Sequence, residues 1–146
     1  MPSHFRFASS LGFALAVLAS SAAHAAGSCP PVSRASERGK LQQLLASNGV
    51  AESERTFLLA GAEQRLEQIP SSALNADGAI CGISVVRAYV LSCMNATLGE
   101  PLRAMPADKA SGKALWGRAG LSARGAVFIG MFEACRGGAA EAFLSR

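Results

Sequence analysis

Apolar residues recur at helical spacing in four stretches of this chain, and breakers separate them. Ser33 or Ser36 can cap a helix running to about Ser47, with Leu41, Leu44 and Leu45 on its inner face and Asn48-Gly49 as its stop. A second helix opens at Ser53 with Glu54 in its first turn, where the helix dipole favours an acid. It carries Leu58, Ala62, Leu66 and Ile69 inward and ends at Pro70. Residues 71–75 read as a turn-rich linker. The third stretch, from Asp77 to about Leu98, is apolar almost all round: Ile80, Ile83, Val85, Val86, Tyr89, Val90, Leu91, Met94 and Leu98 leave only a narrow polar stripe of Ser84, Arg87 and Asn95. Such a helix belongs at the centre of a bundle. Gly99 and Pro101 break it.

Residues 100–121 form a basic stretch punctuated by Gly and Pro, within which Pro106 to Trp116 is expected as a short helix. Ser122 caps a last helix with Val127, Phe128, Met131, Phe132 and Cys135 inside; Gly137-Gly138 is expected to interrupt it, leaving 139–146 as a terminal turn. No internal repeat or β-hairpin signature appears. The pattern predicts an all-α fold, a compact bundle of four to five helices.

The first 25 residues stand outside this pattern. Arg6, the apolar run Leu11 to Ala19 and Ala23-His24-Ala25 read as a secretory signal peptide cut before Ala26, with residues 26–146 as the mature helical domain. Cys29 does not follow the cut directly, which argues against a lipid anchor. The apolar run is too short for a membrane span, and Arg87 with Asn95 opposes one in the third helix, so no membrane insertion is expected after cleavage.

Cleavage changes the chemistry. It removes His4 and His24, the only histidines, and leaves 13 basic and 10 acidic side chains, a formal +3. A chain without imidazole has no Ser-His or Cys-His nucleophilic pair and no His-based zinc site. We therefore expect no catalytic residue, metal or cofactor, and the small charge argues against nucleic acid. Cys29, Cys81, Cys93 and Cys135 form no CxxC pair, so two structural disulfides in the periplasm are expected. Cys81 and Cys93, on one continuous helix, would stand about 18 Å apart, beyond disulfide reach. If the third and last helices run parallel, Cys93–Cys135 with Cys29–Cys81 follows, the preferred pairing. If they run antiparallel, Cys81–Cys135 with Cys29–Cys93 follows.

Three carboxylates have catalytic potential on paper. Glu63 and Glu67 lie one turn apart but read as a solvated face with Arg65, whereas burial of Glu133 beside Phe132 and Cys135 would raise its pKa. The most suggestive cluster is Arg103, Lys109, Lys113, Trp116 and Arg118, which joins the only tryptophan to four cations and is expected to bind a protein partner. The competing reading makes Trp116 a core anchor and the cations a solvated rim.

A leader, a helical mature chain of 121 residues, four pairable cysteines and no catalytic constellation resemble, in layout, the periplasmic immunity proteins of type VI secretion amidase effectors (the Tai group). The resemblance implies a partner, a secreted peptidoglycan amidase, whose cleft is blocked by a projecting segment. Residues 100–121 are the first candidate for that segment and 71–77 the second. Homodimerisation through an apolar helical face is a further expectation. The alternatives are a small cell-wall hydrolase acting through Glu133, or a helical envelope chaperone or accessory subunit.

Overall fold

The computed structural model describes residues 29–107 and 109–146; the expected leader lies outside them. Among the described residues six α-helices form an all-α bundle: α1 (Arg34–Ser47), α2 (Glu52–Glu67), α3 (Ala76–Cys81), α4 (Ile83–Thr97), α5 (Gly99–Ala104) and α6 (Ala123–Phe143). A 3-10 turn, Ser71–Ala73, links α2 to α3. Of the two candidate caps for α1, Ser33 is the one used, and Ser122 caps α6 as its sequence position predicts. α2 begins one residue before Ser53, behind Ala51, without a side-chain cap.

α4 is the central helix, packed between α1 and α6 with α3 and α5 at its ends. Its Val86, Val90, Leu91 and Met94 are buried among Leu41, Leu45, Leu58, Leu66, Phe128 and Phe132. The polar stripe has structural partners. Arg87 donates to the carbonyls of Leu66, Glu67 and Ile69, closing the C-terminal end of α2. Asn95 donates to the Glu37 carboxylate (2.8 Å) and the Glu37 carbonyl, satisfying a carboxylate that is buried in α1.

Five expectations need correction. The helix expected over 77–98 is two helices, because Gly82 adopts φ +86, a left-handed conformation that ends α3 before α4 begins. Ile80, expected inside, is two-thirds exposed on α3. Gly99 and Pro101 start α5 rather than ending helical structure: Pro101 sits in the first turn, where its missing N–H costs nothing, and among the described residues of 106–116 no helix forms. Gly137-Gly138 does not interrupt α6. Phe128, Phe132, Cys135, Ala139 and Phe143 continue one buried stripe across it, and Phe143 meets Tyr89 edge-on, with ring centroids 5.2 Å apart. That packing outweighs a propensity cost of about 1 kcal/mol per glycine.

The disulfides are Cys29–Cys81 and Cys93–Cys135. The preferred pairing therefore holds, but its premise does not. Cys93 faces Cys135 and Tyr89 faces Phe143, so α4 and α6 run antiparallel. In this register Cys81 falls beyond the C-terminal end of α6. The break at Gly82 instead places it on α3, where it meets the arm 29–33. Among the described residues no helix is long and apolar enough to cross a membrane.

Candidate partner-binding surface

Between α5 and α6 the chain runs through an irregular loop, 105–122, at the end of the bundle where α1 and α4 finish and α2 and α6 start. With Pro106 and Gly112 and only a few apolar side chains, it lacks the periodic stripe that a helix needs. Its backbone closes on itself. Ser111 N donates to Leu121 O (2.8 Å) and Ala123 N to Lys109 O (2.8 Å), pairing the two limbs at their base.

Two charged side chains fasten that base to the helices. The Glu54 carboxylate, buried at the start of α2, accepts from Ser122 N (2.7 Å) and Ser122 Oγ (2.8 Å). Arg124, in the first turn of α6, donates to Met105 O (3.0 and 2.8 Å) and to Asn48 O beyond the end of α1. These are charge-assisted bonds, all but the one from Ser122 Oγ to main-chain groups, and roughly twice as strong as neutral ones. They tie three segments that no helix joins.

Farther out, Leu115 and Arg118 exchange both backbone hydrogen bonds (3.0 Å each) around Trp116-Gly117. Both central residues have positive φ, +53 at Trp116 and +79 at Gly117, the arrangement of a type I′ turn. A tryptophan there costs about 1–2 kcal/mol of backbone strain. Packing compensates. The indole lies edge-on to Phe132 (centroids 5.3 Å) and Phe128 (6.3 Å), and the Arg65 guanidinium sits 4.0 Å from its ring centroid. It also fills the space beside Gly61, where a Cβ would come within 2.6 Å of the ring.

The five residues expected to bind a partner thus have different positions. Trp116 is turned inward as a core anchor and is partly buried. Arg118 lies over the Phe57 ring (5.0 Å) and reaches Ser53 O; it lines a cleft with Lys109, Ser53 and Glu54. Lys113 is exposed between exposed Gly112 and Ala114. Arg103, on α5, lines a separate cleft with Leu44, Asn95 and Glu100. Lys109, Lys113 and Arg118 therefore share one loop, and Arg103 belongs to a neighbouring surface. Glu54, Gly61, Arg65 and Arg124, which build the loop, carry no local sequence signal for that role.

The carboxylates expected to have chemistry are ion-paired. Glu133 is on the exposed side of α6 and accepts from Arg136 (3.0 Å). Glu63 and Glu67 join Arg34, Arg38 and Arg87 in a network linking α1, α2 and α4. The Arg34 hydrogen bond, reinforced by the charges of Arg34 and Arg87, outweighs desolvation and holds the Glu67 carboxyl below its ordinary value. Burial pulls the Arg34 guanidinium down, but Glu63 and Glu67 together hold it above its usual value. Among the described residues no group of three or more His, Cys, Asp or Glu side chains is placed to hold a metal.

Compared with protein-family models, with curated proteins and with solved structures, the chain matches none.

Proposed function

We propose that this chain is an exported inhibitory binding protein of the periplasm that neutralises a cell-wall-degrading enzyme, a secreted peptidoglycan amidase, by seating the 105–122 loop in its cleft. One observation carries the reading: an exposed, basic, irregular loop is fastened at its base and near its tip to a disulfide-tied helical body. Occlusion needs no reacting group. It needs a surface whose shape exists before binding, because ordering a loop on contact subtracts from affinity. Two disulfides are compatible with an oxidising, extracytoplasmic compartment.

The test mixes residues 26–146 with a purified secreted peptidoglycan amidase, beginning with any encoded beside this chain, and follows turbidity clearing of purified peptidoglycan. Dose-dependent inhibition at one-to-one stoichiometry is expected. Clearing by the chain alone, lost on Glu133→Gln, would establish the hydrolase reading instead. Charge reversal at Lys109, exposed at the base of the loop, should slow association more than it speeds dissociation, since rim charges act mainly on encounter. The same change at Arg103, on its separate cleft, distinguishes whether the interface extends to α5.

A further inference from the structure

We propose that Trp116, slotted beside Gly61 and under Arg65, is a latch that preforms the tip of the loop, and that Lys113 at this tip enters a narrow acid-lined recess of the partner. The inference rests on the inhibitory reading above and specifies how that surface is built and what it recognises.

The argument starts from a conflict between local preference and tertiary packing. Type I′ turns favour Asn-Gly or Gly-Gly, and among the described residues Trp116 is the one non-glycine with positive φ. A turn needed only to reverse the chain has no use for tryptophan in its first central position. What tryptophan adds is an anchor: two edge-on phenylalanines on α6 and a cation on α2 grip the ring from different helices. Gly61 leaves the ring its space. The slot and the strained turn make sense together, as a device that fixes where the tip lies.

Between the paired base at 109–111 and this latch at 115–118 stands a single short span, residues 112–114, that meets solvent. Its one long side chain is Lys113, flanked by Gly112 and Ala114, which add almost no width. Ser111 Oγ accepts from Lys113 N (3.4 Å), bending the span so that Lys113 lies at its turn. Arg118 is already engaged by Phe57 and Ser53, so it is part of the support. A slender tip with one flexible cation fits a recess that is narrow and carries a carboxylate; it does not fit a flat apolar surface.

The latch is tested without any partner, by trypsin digestion with the cut at Lys113–Ala114 followed by mass spectrometry. Trp116→Asn is the informative variant, because asparagine suits the turn and removes only the anchor. Cleavage after Lys113 should rise about tenfold while the helical circular dichroism is unchanged, since cutting tracks the population of the opened loop. Equal rates in wild type and W116N would overturn the latch. Should W116N lose its helical signal, Arg65→Gln carries the test: it takes away the cation over the ring, together with the Arg65 hydrogen bond to Gly61 O (3.2 Å) within α2, and a rise of about threefold is expected. No rise in R65Q would then overturn the latch. The recess is tested in the turbidity assay with the same amidase, where Lys113→Glu should abolish inhibition and Lys113→Arg should retain it. Inhibition by K113E equal to wild type would overturn the acid-lined recess. Failure of the wild-type chain to inhibit would overturn the inhibitory reading, while the trypsin result still decides the latch.

Discussion

At one end of the bundle the arm 29–33 reaches α3 and is held there by Cys29–Cys81; at the other, the 105–122 loop is held by Glu54, Arg124 and the Trp116 ring. The first attachment is one covalent bond between half-buried residues and needs little packing around it. The second needs a buried carboxylate, a guanidinium shared between two segments and an aromatic slot drawn from α2 and α6. A covalent tie tolerates a poor fit, whereas the loop is retained only while its shape is kept. The more demanding attachment is spent on the segment whose geometry we propose to be functional.

The largest effect that can separate these ends comes from the disulfides. Cys93 and Cys135 are 42 positions apart, and Cys29 and Cys81 are 52 apart. Loop-closure entropy alone assigns each bridge about 4 kcal/mol. The core bridge should deliver most of that, because Cys135 is buried in the α4–α6 contact and cannot move when the bond is cut. The arm bridge should deliver less. Once released, residues 29–33 regain backbone freedom in the folded state, which offsets the loss, while α3 stays docked through Asn75 N to Phe143 O (2.9 Å). Urea denaturation of C93A/C135A and of C29A/C81A measures both, and the reverse order would break the comparison.

A smaller effect sharpens the other side. Glu54→Ala removes two charge-assisted hydrogen bonds and leaves Ser122 N without its partner, a loss of about 2–3 kcal/mol. The damage should be local. Amide exchange at Ser111 and Ala123, whose N–H groups bridge the limbs of the loop, should accelerate while that of α4 is unchanged. Acceleration spread evenly over both regions would mean that loop and body open as one unit.

The two ends also differ in how far they could be read in advance. The helical body was legible where the signal is local: the caps at Ser33 and Ser122, the stripes of α1 and α2, and the all-α class. Direction was not. The cysteine pairing came out right although the helices run opposite to the premise behind it, because only the register of α4 on α6 decides which residues are level. Gly82 and Gly137-Gly138 look alike as sequence. The first breaks a helix and the second does not, and the difference lies in what is buried on either side, Phe143 above all. At the loop, the cations were visible but their supports were not. Glu54 and Ser122 are 68 positions apart, and nothing near Gly61 announces a tryptophan from another segment.

The smallest effect concerns acid, and it acts at the arm end. Arg34, the first residue of α1 after the arm, bonds Glu63 (2.8 Å) and pairs with Glu67 (2.6 Å), which Arg87 also meets (3.1 Å). These contacts hold the Glu67 carboxyl below its ordinary value of 4.5 in the folded chain. A group with a depressed folded pKa binds protons more readily when unfolded, so its contribution is fully present above the unfolded value and disappears as pH falls through the folded one. The raised Arg34 value adds nothing in this window, since the guanidinium is charged throughout. The urea midpoint of the wild type should therefore fall on acidification below that value more than that of Glu67→Gln, and the two curves should converge once Glu67 is protonated. Because Glu67 is exposed, the gap should be modest and should narrow further in high salt. The tip of the loop should not notice: trypsin-resistant geometry at Lys113, assayed by hydrogen exchange in acid, is set by the Trp116 slot and not by this network, so parallel loss of protection at both ends would show that they are coupled.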